Sequence, residues 1–226
     1  VRRGLFLSFE GIDGSGKSTQ ARGLADRLRT AGHDVVLTRE PGGSAGAEEI
    51  RRLLLTGDPD RWSPETEILL FTAARRDHLE RTIRPALDRG AIVVCDRFAD
   101  STRVYQGMTR GDLRGTVDAL HALMIGVEPD LTVLIDIDPA TGLARAVARA
   151  EARAEARAEA GAGAGAGAEL RFEAMGIATQ ERMRAAFLAL AAAAPARFRV
   201  IDGRGDPAAV AARVDAALAP VLAALQ

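Results

Sequence analysis

The residues best suited to chemistry lie in one run near the start of the chain, Gly11-Ile12-Asp13-Gly14-Ser15-Gly16-Lys17-Ser18-Thr19. It fits G-x-x-x-x-G-K-[ST], a loop whose glycines let successive backbone N–H groups turn inward around an anion. A helix opening at Lys17 adds its positive dipole end to those donors. Lys17 is then placed to reach the terminal phosphate oxygens of a nucleoside triphosphate, and the Ser18 hydroxyl to ligate Mg²⁺. Lys17 is also the only lysine of the 226-residue chain, in which every other permanent cation is an arginine. A compact point charge on a flexible stem suits converging phosphates better than a planar fork. A second candidate is Asp96-Arg97, directly after the apolar run Ala91-Ile92-Val93-Val94-Cys95. A carboxylate there stands near a phosphate-bound metal, directly or through water, and the guanidinium beside it can bridge two phosphates.

The elements that must position these groups follow from periodicity. Apolar runs of strand length are expected at Leu5–Phe9, Asp34–Thr38, Ala91–Cys95, Leu131–Ile137 and Phe198–Ile201. Helical spacing is expected over Lys17–Thr30, Gly46–Thr56 (Ile50, Leu53 and Leu54 inward), Pro64–Arg89, Leu113–Ile125, Thr141 to about Ala160, Leu170–Ala193 and Pro207–Leu225. Along Pro64–Arg89, Ile68, Leu69, Phe71, Thr72, Arg75, Leu79 and Ile83 recur at helical spacing. Asp100–Asp112 reads as a polar connection. Strand and helix alternate throughout, so the expected fold class is α/β: an open five-stranded parallel sheet, helices on both faces and ligands at the carboxyl ends of the strands. One domain over residues 1–226 is expected.

Composition excludes several classes. The net charge of −1 gives no electrostatic basis for nucleic-acid or anionic-membrane binding. No apolar run approaches the ~20 residues of a membrane span, and the opening Val-Arg-Arg-Gly has no signal-peptide pattern, so a cytoplasmic protein is expected. The single Cys95 forms no intrachain disulfide, and His33, His78 and His121 show no ligand spacing. A guanine-specific switch would carry N-K-x-D, which a chain whose one lysine is Lys17 lacks.

Several further segments give the chain a specific resemblance. Phe9-Glu10-Gly11 leads into the phosphate loop, and Thr38-Arg39-Glu40-Pro41-Gly42-Gly43, Glu48 and Ile50-Arg51 follow. Leu69-Leu70-Phe71 with Ala74-Arg75, Asp96-Arg97-Phe98, Asp100-Ser101-Thr102 with Tyr105-Gln106-Gly107, and Arg171-Phe172-Glu173 complete the set. In this order they resemble the bacterial thymidylate kinase family almost from end to end. The resemblance implies a P-loop kinase fold and transfer of the ATP γ-phosphoryl to dTMP, with Mg²⁺ as cofactor and a homodimer as the assembly. It implies that Arg39, Arg51 and Arg97 contact the acceptor phosphate, that Phe71 stacks on thymine, and that Arg75 donates to the base O4. Thr102 would reach the N3 edge, Tyr105 would lie against the sugar where a 2′-hydroxyl would be, and Asp13 would sit near the 3′-hydroxyl and the metal. Glu40, Ser101 and Gln106 join the acceptor site by position. A kinase for another nucleoside monophosphate is the alternative within enzymes, and a nucleotide-dependent binding module the alternative outside them.

The chain departs from the family pattern in its lid, expected over residues 141–172. The loop interior Ile12-Asp13-Gly14-Ser15 has no basic residue, whereas Arg145, Arg149, Arg153 and Arg157 recur every four residues. On a helix they form one slowly drifting stripe, with Glu151, Glu155 and Glu159 roughly 200° around from it. Arg149 and Arg153 are expected to be the catalytic lid arginines. The alternating Gly161–Ala168 segment has no family counterpart and is expected to be a flexible connector.

Overall fold

The computed structural model describes residues 3–58, 61–108, 111–159 and 176–224. The Gly161–Ala168 segment, the Arg171-Phe172-Glu173 motif and the side chain of Arg153 lie outside the described residues. Five strands form one parallel sheet: β1 (Phe6–Glu10), β2 (Val35–Arg39), β3 (Ile92–Asp96), β4 (Leu131–Asp136) and β5 (Phe198–Asp202), in the spatial order β2-β3-β1-β4-β5. The central strands are buried along almost their whole length and mostly apolar, because both faces are covered. Phe9 and Arg39 both pair with Asp96, so β1, β2 and β3 end at one height. From β1 the chain moves out through β2 and β3, then crosses back to β4, and the loop after β1 lies at that reversal.

The helices are α1 (Lys17–Thr30), α2 (Ala45–Leu55), α3 (Pro64–His78), α4 (Arg84–Asp88), α5 (Ala99–Tyr105), α6 (Arg114–Met124), α7 (Pro139–Glu159), α8 (Ile177–Ala193) and α9 (Pro207–Ala223). On one face of the sheet, Leu24, Ala25 and Leu28 of α1 and Val210, Val214 and Leu218 of α9 pack against Leu7, Phe9, Val94 and Val133. On the other, the α3–α4 region covers Phe6, Val93 and Cys95, and α8 covers Leu134.

Three expectations change. The helix expected over Pro64–Arg89 is interrupted by a π-turn, Leu79–Ile83, because Pro85 has no N–H and its ring crowds the carbonyl four residues back. Asp100–Asp112 is not simply a connection, since α5 forms within it. Its first turn is capped at long range by Glu10, whose Oε1 accepts from Phe98 N at 2.7 Å and Ser101 N at 3.2 Å. Leu53 and Leu69 face outward, 42% and 57% exposed, on the surface left by α2 packing against α3. Among the described residues no helix is long and apolar enough to cross a membrane.

Candidate active site

The phosphate loop is shaped by backbone that only glycine adopts without strain. Gly14 has φ 77°, and a Cβ there would lie 1.9 Å from the Gly142 carbonyl oxygen in the first turn of α7. That contact seats the loop against the start of α7, where Asp138 accepts from Thr141 N at 2.9 Å. Lys17 is buried, with Nζ 3.3 Å from the Ile12 carbonyl and 3.5 Å from Asp13 Oδ1. Burial and the nearby Arg97 lower its pKa, against Asp13, which holds the charge.

Opposite the loop stands Arg97, at φ 72° the one described non-glycine residue in the left-handed region. Such backbone costs of order 1–3 kcal/mol and needs neighbours that over-determine it. Arg97 N donates to the Phe9 carbonyl at 2.9 Å, and the Cys95 thiol donates to the Arg97 carbonyl at 3.0 Å. The guanidinium is shared: Nη1 donates to Ser101 Oγ at 2.9 Å, Nη2 donates to Asp13 Oδ1, and Nη2 lies 3.0 Å from the Tyr105 hydroxyl. Tyr105 in turn donates to Asp13 Oδ2 at 3.0 Å. Burial works against the Asp13 carboxylate, but Arg97 and Lys17 outweigh it and hold its pKa at about 2. Burial raises Tyr105 in the same way, and there it prevails over Arg97, so the hydroxyl is pushed well above its usual pKa.

The far wall is a second buried network. Arg75 Nε donates to Glu40 Oε2 at 2.6 Å and its Nη2 to Thr102 Oγ1 at 2.9 Å. Glu40 Oε1 pairs with His78 Nδ1 at 3.1 Å, and His78 Nε2 with Thr38 Oγ1 at 2.7 Å. Arg75, Glu40 and His78 are all buried, and the Arg75 guanidinium lies 5.1 Å from the Phe98 ring centre. Arg39 is exposed and pairs with Glu48 at 3.0 Å, Arg51 Nη1 donates to the Pro41 carbonyl at 2.8 Å, and Gln106 donates to the buried Glu67 at 3.3 Å. Phe71 is half-buried.

These groups line one cleft of about 500 Å³. Asp13, Lys17, Ser18 and Thr19 form one end of it; Arg39, Glu40, Arg51, Phe71 and Arg75 form the other. Asp96, Arg97, Ser101, Thr102, Tyr105 and Gln106 lie between, and Arg149 of α7 reaches it from outside the sheet. Gly11, Ile12, Gly14, Ser15 and Gly16 shape the loop without lining the cleft. Sequence reasoning missed Arg22, Pro41, Leu55 and Phe98, which also line it, and the supporting Glu10 and His78. Arg22 had a local signal, standing one helical turn after Ser18, and Glu10, Pro41 and Phe98 stand within the motif segments themselves; Leu55 and His78 had none, because only the packing of distant elements brings them here.

Of the expected metal residues, Asp13 has both oxygens engaged by Lys17, Arg97 and Tyr105. Asp96 Oδ1 is buried with no hydrogen-bond partner among the described residues, the state expected of an oxygen waiting for a cation or its water. Among the described residues no cluster of three His, Cys, Asp or Glu could hold a metal by itself.

A glycine-shaped anion loop, one buried lysine and an arginine-rich cleft across a parallel sheet define a P-loop phosphotransferase. The comparisons narrow that class. The family model for thymidylate kinase matches residues 9–214. The chain is 68% identical over 211 residues to a thymidylate kinase of Ruegeria pomeroyi, covering 93% of this chain and 92% of that protein. It is 51% identical over 215 residues to one of Caulobacter vibrioides, covering 95% of each. A crystal structure of thymidylate kinase from Ehrlichia chaffeensis superposes with a TM-score of 0.73 at 34% identity, covering 96% of this chain and 99% of that one. The chain belongs to the thymidylate kinase family.

Proposed function

We propose that this enzyme transfers the γ-phosphoryl group of ATP to the 5′-phosphate of dTMP, giving dTDP, with the residues of the cleft in the roles that follow. The observation that carries the reading is the continuity of the cleft, phosphate loop at one end and a buried arginine beside a flat aromatic ring at the other. The phosphate loop and Lys17 hold the β- and γ-phosphates. Arg97, Arg39 and Arg51 hold the acceptor phosphate in line with them. An acceptor oxygen forms the new P–O bond as the bridging P–O bond to the γ-phosphorus breaks. The acceptor is already an anionic phosphate, so the step needs no general base. Catalysis is positioning together with charge stabilisation by Lys17, Arg97, Arg149 and Arg153. Mg²⁺, when bound, would be held by Ser18 and Asp96, with Asp13 close by, and supplies neutralisation of phosphate charge.

Phe71 stacks on the thymine ring, and Arg75, aimed by Glu40 and Thr102, donates to the base O4, where the amino group of cytosine would meet a second donor. Tyr105 bars a 2′-hydroxyl. Of the expected lid, α7 is described, and its Arg149, which lines the cleft, meets the phosphates there. The outward Leu53, Leu69, Leu123 and Met124 supply an apolar surface for a homodimer. The test is Mg·ATP-dependent phosphorylation of dTMP, dUMP, dCMP, UMP and GMP. Strong preference for dTMP is expected; equal turnover of dCMP would refute the role of Arg75, and no turnover with any acceptor would refute the reaction.

A further inference from the structure

Glu10 is fully buried at the carboxyl end of β1, one residue before the phosphate loop, and the roles assigned above make no use of it. Burial, with Asp100 adding to it, lifts its carboxyl to about 7 against the pull of Arg97 and of the donors around it. The reason for placing a carboxylate there lies in what those donors do. Oε1 accepts from Phe98 N at 2.7 Å and Ser101 N at 3.2 Å, while Oε2 accepts from Ser101 Oγ at 2.6 Å. The Ser101 hydroxyl has a single proton, and the carboxylate takes it. What Ser101 then offers Arg97 is a lone pair, and Arg97 Nη1 donates to it at 2.9 Å. The other contact of Nη1 is the Gly11 carbonyl at 3.5 Å, at the limit of a hydrogen bond.

We propose that Glu10 is a positioning residue for the acceptor phosphate: by orienting the Ser101 hydroxyl it fixes the Arg97 guanidinium in the cleft. The inference rests on Arg97 contacting that phosphate. The amide introduced by Glu10→Gln sets a donor either against Ser101 Oγ, which reverses that link, or against the Phe98 and Ser101 N–H groups, which breaks the contacts that hold Ser101 in place. Ser101→Ala removes the middle link and leaves the buried carboxylate in place.

The test is steady-state kinetics with dTMP and ATP varied separately, for Glu10→Gln, Ser101→Ala, the double variant and Arg97→Ala. Each single change is expected to raise KM for dTMP about tenfold while KM for ATP stays within about twofold, as for one lost hydrogen bond to a charged group. The double variant is expected to be no worse than the worse single, because both act through one chain. Unchanged KM for dTMP in Ser101→Ala, or multiplied effects in the double variant, would overturn the proposal. Ser101→Ala decides the matter alone if Glu10→Gln does not fold. If Arg97→Ala also leaves KM for dTMP unchanged, the phosphate assignment itself has failed and the positioning role with it.

Discussion

Replacing Glu10 by Gln has a thermodynamic consequence that runs opposite to its expected effect on catalysis. Burial first, and Asp100 second, raise the Glu10 carboxyl from 4.5 to about 7 in the folded chain. At about 1.4 kcal/mol for each pH unit, that displacement corresponds to roughly 3 kcal/mol. The folded-state value lies above the unfolded one, so this stability is fully present below pH 4.5 and is lost as the pH rises through about 7. Glu10→Gln has no proton to lose at this position. The difference in unfolding free energy, parent minus variant, is therefore expected to fall by roughly 3 kcal/mol between the acid and the alkaline side of that window. For a chain of this length each kcal/mol moves Tm by about 2–4 °C, so the two Tm curves should separate by on the order of 6–12 °C. Nucleotide-free protein melted in steps across pH 4.5 to about 8.5 measures it. Parallel curves would refute the argument. A separation of opposite sign would mean that Arg97 and the Ser101 and Phe98 donors outweigh burial. Relative to the parent, the variant is expected to gain heat stability as the pH rises, while being poorer at capturing dTMP.

Other perturbations test separate parts of the site. Lys17→Ala should lower kcat by about 10²–10³, since it removes a fixed charge from the transferring group; a change below tenfold would exclude that role. Gly14→Ala forces a Cβ to within 1.9 Å of the Gly142 oxygen at φ 77°, and should lower stability by at least ~1–2 kcal/mol and raise KM for ATP; an unshifted melting curve would show that the loop and α7 move apart freely. Glu40→Ala leaves Arg75 as an unpaired buried charge, and a loss of about 3–5 kcal/mol in urea unfolding is expected, with weakened discrimination of dTMP from dCMP. Asp13 is held at about 2 against its usual 3.8, so its contribution of roughly 2 kcal/mol is present above pH 3.8 and lost as the pH falls through about 2; Asp13→Asn should flatten that part of the acid-unfolding profile, and an identical profile would remove the ion pairs with Arg97 and Lys17 from the account.

Much of the site was legible in the chain because its signals are local. The phosphate loop needs Gly14, Lys17 and Ser18 at fixed spacing, and the strand delivering Asp96 declares itself by being apolar on both faces. The acceptor residues were legible through ordered motifs rather than through physics: a phenylalanine on a helical stripe does not reveal by itself that it is Phe71, half-buried at a cleft, rather than one more core ring. The stripe containing it also holds Leu69, which packing places in solvent. Helix α5 was read as part of a connection because its capping group, Glu10, stands 91 positions earlier than Ser101.

What the sequence by itself determined was the class of chemistry: backbone conformation at glycines, the charge of the lone lysine and the alternation of strands and helices are written in neighbouring residues. Only the tertiary structure decided how that chemistry is aimed. The Arg97–Asp13–Tyr105 cluster, the Glu40–His78–Arg75 wall and the Glu10–Ser101 link each join residues from different strands and helices. Their energies depend on burial and on distances of a few ångströms, quantities that exist only after the sheet has brought its strand ends to one edge.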